Sequence, residues 1–504
     1  MLPSFFYFCF LFFDLMKLGF WGAARQVTGS MYLLTLDGDY KVLIDCGLDF
    51  ERERQEREIP GFSREAGHIF PFEPTEINLI LLTHAHVDHS GNIPNLVKEG
   101  YEGQILCTQP TMELSGLLMA DSARIHKIKL NGIHGRGNKI KPHVLKKLTS
   151  ELYLESHVKE TMDRFVCLAF NRRFKVHENL YVTFYQTGHL LGAASILVEA
   201  RENGKWVRLG FSGDIGRKNY PLLRDPDPFP EVDYLVCEST YGNRNHQTEE
   251  LPEKVLEDVI KSSLIDHPGR LIIPSFSVGR TQSLLYTLNK LQFRKKFPGI
   301  RVFTDSPMAH KSSQLYEKFR SFLNEEARDF YEENDGLFDF ENLTFVADLE
   351  GSKAISQYPE PCIIVSSSGM IQGGRIENHI LSNLENPFCT VFMIGFSAEG
   401  TTGHELLNGA QRVVVKGKKL EVKARILKTD IFSGHADLRG LMEFVEWQKP
   451  EKLKKLFLVH GEEEVMEDFR KTLEWAGYSQ ACMPSWGEQF ELLQEEWQKP
   501  EPTS

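Results

Sequence analysis

Four ligand-type side chains crowd into six consecutive positions, His84-Ala85-His86-Val87-Asp88-His89, directly after the apolar run Leu79-Ile80-Leu81-Leu82. The run reads as a short buried strand and Ser90-Gly91-Asn92 leads into a helix. The cluster therefore lies at a strand-to-helix junction, where α/β folds collect their active sites. Neutral imidazole with carboxylate suits zinc, at roughly 2.0–2.2 Å per bond. Alternation by two lets His84 and His86 converge on one ion from an extended loop, while Asp88 and His89, past the bend, can face a second.

The rest of the chain repeats the theme. A hairpin of Met31–Leu36 and Tyr40–Ile44 ends at Asp45. Leu180–Tyr185 stops at Thr187-Gly188-His189, Val207–Phe211 at Ser212-Gly213-Asp214, and Tyr234–Cys237 at Glu238. Late in the chain, His435 follows Ile431-Phe432-Ser433-Gly434, and His460 caps the apolar run Leu456–Val459. Each apolar segment delivers one ligand-type residue at its carboxyl end, often with glycine alongside to let backbone approach closely. Residues 111–177 have a mostly helical composition and offer no metal-type motif.

Between these two halves, strand-turn-helix units follow one another from Arg270 to Leu407, which predicts a parallel sheet with helices outside it. The loops after these strands carry Arg280, Ser367, Ser368 and Arg375 among glycines and further hydroxyls. Hydroxyl, glycine and arginine at helix N-termini suit phosphate, because free N–H groups and guanidinium both point at the anion.

Composition sets the remaining bounds. At 504 residues, two domains are the expectation. A net charge of −12 argues against nonspecific coating of nucleic acid but leaves room for a local basic groove. Eight scattered cysteines with no Cys-x-x-Cys suggest neither a disulfide framework nor a cysteine zinc ribbon, and point to a reducing cytoplasm. The apolar stretch Phe5–Phe13 lacks both the basic flank and the cleavage site of a signal peptide and is too short to span a bilayer. Residues 1–15 thus read as a non-native extension before a start at Met16, with no membrane attachment.

The string His84-Ala85-His86-Val87-Asp88-His89, with Asp45 before it and His189 and Asp214 after it, resembles the metallo-β-lactamase signature. Glu238, His435 and His460 resemble the A, B and C motifs of its β-CASP subgroup, which contains the pre-mRNA 3′-end cleavage nuclease, bacterial and archaeal RNases and DNA-repair nucleases. The resemblance implies an α/β fold: an αββα metallo-β-lactamase sandwich in two parts, 16–240 and 426–504, with an inserted parallel-sheet α/β β-CASP domain at 241–425. It implies two Zn²⁺ ions, one on His84, His86 and His189 and one on Asp88, His89 and His460, bridged by Asp214, with Asp45 orienting histidines from behind. Asp88, His435 and Glu238 would be the catalytic residues. A dizinc-held hydroxide would attack the phosphodiester while His435, held by Glu238, assists the leaving group. Arg280, Ser367, Ser368 and Arg375 would grip flanking phosphates of a single strand.

In this resemblance a histidine at the third motif marks RNA-processing members. The expectation is therefore a zinc-dependent ribonuclease acting on single-stranded RNA in the cytoplasm, with monomer and homodimer both open. The rivals are an ester, thioester or lactone hydrolase on the same scaffold, a DNA nuclease, and a non-catalytic RNA-binding subunit.

Overall fold

The computed structural model describes residues 16–36, 39–49, 69–134, 149–150, 152–202, 204–246, 250–293, 297 and 299–492. The extension at 1–15 lies outside them. Among the described residues, two seven-stranded sheets face each other. The first has the order Gln489–Glu491, Lys17–Gly22, Met31–Thr35, Lys41–Ile44, Ile77–Leu81, Gln104–Cys107, Phe165–Cys167. The second runs Ala481–Cys482, Lys455–Val459, Tyr234–Glu238, Lys205–Phe211, Ala194–Glu202, Leu180–Gln186, Phe174–His177. Late strands complete both: Lys455–Val459 pairs parallel with Tyr234–Glu238, and Gln489–Glu491 pairs antiparallel with Lys17–Gly22.

The strand Ile77–Leu81 shows why its sequence is apolar almost throughout. Leu79 and Leu81 point into the layer between the sheets, with Phe184, Ile196, Phe211, Val236 and Phe457. Ile77 and Ile80 point the other way, under a helical layer carrying Ile93, Leu96, Met119 and Ala123. A strand buried on both faces cannot alternate apolar with polar residues. On the far side, Leu441, Phe444, Met466 and Phe469 from the helices Leu438–Val445 and Glu463–Trp475 cover the second sheet. The order of layers is helix, sheet, sheet, helix.

The third sheet is entirely parallel, in the order Leu343–Phe345, Arg301–Asp305, Cys362–Ser366, Arg270–Pro274, Thr390–Met393, Arg425–Lys428. Its last strand carries this sheet past the border at residue 425 expected from the sequence. Arg425–Lys428 pairs with Thr390–Met393, so the return to the sandwich comes after Lys428. The core on one face of this sheet also contains Ala85, Leu190, Leu191, Ile431 and Phe432, so the insert seats directly against segments that carry the ligand candidates.

The helical reading of 111–177 holds for Gln109–His134 and Glu155–Met162, but Phe165–Cys167 and Phe174–His177 are edge strands. Phe165–Cys167 pairs with the distant Gln104–Cys107, and Phe174–His177 folds back as a hairpin on the neighbouring Leu180–Gln186; a window average of composition does not register strands of three or four residues. The long helix has a double role. Met119 and Ala123 pack on the first sheet, Leu114 joins the core shared with the insert, and Glu113 pairs with Lys318 at 2.6 Å.

Candidate metal centre

All the ligand candidates meet at one end of the two facing sheets. Nε2 of His84, Nδ1 of His86 and Nε2 of His189 surround one point: the His84–His86 and His189–His86 nitrogens are 3.1 Å apart, and Asp214 Oδ2 lies 3.4 Å from both Nε2 atoms. Asp214 Oδ1 turns to a second group, 3.2 Å from His89 Nε2 and 3.7 Å from His460 Nε2, with Asp88 Oδ2 3.6 Å from the latter. A tetrahedron of ligands at roughly 2.05 Å from zinc has edges of about 3.3 Å, so the first group already has the spacing of a zinc shell.

Hydrogen bonds behind the rings leave these nitrogens free to bind. Asp45, fully buried, accepts from His89 Nδ1 at 2.7 Å, from the Thr83 amide at 2.7 Å and from the Thr83 hydroxyl at 2.8 Å. The Thr83 oxygen, its proton given to Asp45, accepts from His84 Nδ1 at 3.1 Å. His189 Nδ1 donates to the Gly434 carbonyl at 3.1 Å. Thr240 gives its hydroxyl proton to the His460 carbonyl at 3.2 Å and accepts from His460 Nδ1 at 3.0 Å. With Nδ1 occupied, Nε2 of His84, His89, His189 and His460 is a lone-pair donor.

The backbone is shaped to the same end. Asp45 and His460 both adopt left-handed conformations, at φ 58° and 53°. Such strain collects at functional sites. A Cβ on Gly47 would sit 1.7 Å from the Asp88 carbonyl, so glycine alone lets this loop lie against the ligand turn.

Electrostatics agree with a cation site. Burial, reinforced by the charge of His89, holds the His84 imidazole well below its ordinary pKa, and burial does the same to His189 and takes His86 down to about 4. Burial also opposes charge on His89 and His460, but Asp214, with Asp45 for one and Asp88 for the other, outweighs it and raises both. Asp88 and Asp214 stay ionised despite burial because the neighbouring imidazoles stabilise their charge. His460 Nε2 and Asp214 Oδ1 are buried with no hydrogen-bond partner. A divalent cation would satisfy these: it would engage the unpartnered atoms and balance the buried carboxylates. The residues fit zinc.

Beside these groups stands a second constellation. His435 Nδ1 lies 3.2 and 3.3 Å from the Glu238 oxygens, and its Nε2 lies 3.9 Å from Asp214 Oδ2. Glu238 is anchored by the Ile215 and Thr240 amides at 2.6 and 3.2 Å. With its side chain 18% exposed against 3% or less for His84, His89, His189 and His460, His435 faces the opening. His246 fixes the His435 backbone: its Nε2 donates to the His435 carbonyl at 3.0 Å, and its Nδ1 lies 3.5 Å from Asp430.

Thr83, Thr240 and His246 are contributors that the motif reading passed over. A threonine in or beside a strand is ordinary, and nothing local marks His246.

Of the four residues expected to hold phosphate, Arg280, Ser367 and Ser368 line loops at the carboxyl edge of the parallel sheet. Arg280 Nε donates to the Phe432 carbonyl at 3.1 Å, the Ser367 hydroxyl to Ser306 at 3.4 Å, and the Ser368 hydroxyl to the Gln372 carbonyl at 2.8 Å. Arg375 is engaged within the insert. Its guanidinium donates to Asp305 at 2.7 Å and to the Val346 and Ala347 carbonyls at 3.0 and 2.8 Å, because the fully buried Asp305 needs a counter-charge. Arg375→Ala is expected to destabilise the fold by roughly 3 kcal/mol, the low end for breaking a buried pair, since His379 and Ser352 still bond Asp305. Urea denaturation measures this, and an unchanged midpoint with weaker RNA binding would restore the phosphate role.

Family models match three stretches of the chain. These are the "Metallo-beta-lactamase superfamily" over residues 24–231, the "Beta-Casp domain" over 281–406 and the "Zn-dependent metallo-hydrolase RNA specificity domain" over 419–483. The chain is 30% identical over 456 residues to "Ribonuclease TTHA0252" of Thermus thermophilus, covering 90% of this chain and 95% of that protein. It is 29% identical to "Transcription termination factor FttA" of Methanosarcina mazei, over 90% of this chain and 68% of that one. With an "RNase J-like protein" of Methanocaldococcus jannaschii the identity is 28%, over 86% of this chain and 90% of the relative.

Proposed function

Since this chain belongs to the β-CASP branch of the metallo-β-lactamase superfamily, we propose that it is a zinc-dependent ribonuclease that hydrolyses phosphodiester bonds of single-stranded RNA. The observation that carries the reading is the division of the Asp214 carboxylate between two imidazole groups, with the more open His435–Glu238 pair beside it. In this reading two zinc ions would be held, one by His84, His86 and His189 and one by Asp88, His89 and His460, and Asp214, whose carboxylate reaches both groups, would serve each. Zinc, when bound, supplies a Lewis acid against the charge that develops on phosphate and an acidified water.

The protein's own groups do the rest. Glu238 holds His435 through Nδ1, so that Nε2 presents toward the opening and gives its proton to the departing ribose oxygen. Glu238 is thus a positioning residue. The Asp88 carboxyl is kept far below the ordinary carboxylate range, so it orients water and metal and is a poor base. Arg280, Ser367 and Ser368 flank the path of the strand from the insert. The described residues contain no helix long and apolar enough to cross a membrane; action in the cytoplasm belongs to the same reading.

Incubation of purified protein with labelled single-stranded RNA, single-stranded DNA, and a lactone or thioester, each with and without chelator, tests it. Metal-dependent cleavage confined to RNA is the expected result. Hydrolysis of the ester with RNA left intact would move the chain to the small-molecule reading, and equal cleavage of DNA would remove the RNA assignment.

A further inference from the structure

Two large apolar rings are left in solvent where the insert faces the metal centre. Phe276 is 37% exposed and Phe396 is 40% exposed. They sit on the loops that follow Arg270–Pro274 and Thr390–Met393, adjacent parallel strands of the third sheet, and so occupy the same carboxyl edge.

Arg280 ties the two loops together. Its guanidinium carbon is 5.1 Å from the centre of the Phe276 ring, and a Cβ on Gly395, the residue before Phe396, would lie 1.9 Å from its Nη1. From the other side Gly369 lies against the Phe276 ring, where a Cβ would come within 3.2 Å. The same loop abuts the catalytic end of the sandwich. Arg280 Nε bonds the Phe432 carbonyl three residues before His435, and a Cβ on Gly279 would meet Leu190, next to His189, at 2.9 Å.

An aromatic ring held in water is wasted as core, and a cation over one such ring and against the loop that carries the other discourages apolar docking. Both features suit a nucleobase, whose face stacks on the ring while its phosphate meets the guanidinium. We infer that Phe276 and Phe396, with Arg280 between their loops, form a base-stacking subsite for nucleotides flanking the scissile phosphate. The inference rests on the ribonuclease reading and deepens it: the enzyme reads the presence of unpaired bases, whatever their identity, because every base has a π-face.

The test compares kcat/KM for a labelled single-stranded RNA and for a strand of equal length with abasic ribose units in place of its nucleotides. Wild-type protein is expected to favour the base-bearing strand. In Phe276→Ala and Phe396→Ala that preference should shrink, mainly through KM, by on the order of 5- to 150-fold per lost stack. Phe276→Tyr and Phe396→Tyr, which keep the ring, should retain it. An unchanged preference in both alanine variants, or tyrosine variants that fall as far as alanine, would overturn the subsite and leave the ribonuclease reading in place. A wild-type protein that cuts neither strand would overturn both.

Discussion

Asp214→Ala is expected to strip metal from the protein and slow RNA cleavage by at least about 10³-fold, roughly 4 kcal/mol of barrier. This carboxylate reaches both imidazole groups, lying 3.4 Å from the Nε2 atoms of His84 and His189 and 3.2 Å from that of His89. Its removal leaves neither group complete. His460→Ala touches one group only and is expected to lower metal content by one equivalent while keeping the other. Elemental analysis alongside cleavage rates distinguishes the two variants, and an alanine variant at 214 that kept two equivalents and full activity would sink the shared-ligand reading.

The same carboxylate gives a pH dependence with a definite sign. His89 and His460 have raised pKa values in the metal-free protein, where carboxylate attraction outweighs burial. Metal needs both rings unprotonated, so uptake releases protons, and affinity weakens as pH falls through the raised values. Metal binding followed in buffers of different protonation enthalpy measures that release directly.

His435→Ala is the second large effect: RNA cleavage reduced by about 10²- to 10⁴-fold, the usual range for loss of a general acid, with metal content unchanged. His435 Nε2 lies 3.9 Å from Asp214 Oδ2 and its side chain is more exposed than the buried rings, so removing it leaves both imidazole groups intact. The loss should depend on the leaving group. A p-nitrophenyl phosphodiester departs without needing a proton, and its hydrolysis should fall far less than that of RNA. Equal losses on the two substrates would make His435 a structural residue. Glu238→Gln should follow the same leaving-group pattern more weakly, because the amide still fills the space and still accepts from the Ile215 amide.

What the sequence disclosed, and what it hid, follows from range. Ligand candidates at strand ends are legible because an apolar run that stops at His or Asp is unusual locally: His84, His189, Asp214 and His460 all carry that mark. The parallel insert is legible for the same reason, since strand and helix periods alternate along it. The groups that tune the centre are not. Thr83 and Thr240 act through a single hydroxyl whose partners include residues 38 and 220 positions away. The engagement of Arg375 is hidden as well, because its partner Asp305 lies 70 residues earlier, at the end of the strand Arg301–Asp305. The end of the insert's sheet is not marked locally either, because Arg425–Lys428 belongs to that sheet only through pairing with Thr390–Met393.

That one imidazole is steered by a carbonyl 245 residues downstream has a temporal meaning. At roughly 5–20 residues per second, a ribosome needs about 12–50 s to synthesise the stretch from His189 to Gly434. His435 and His460 emerge later still. A nascent chain therefore cannot complete this centre until nearly all of it has been made.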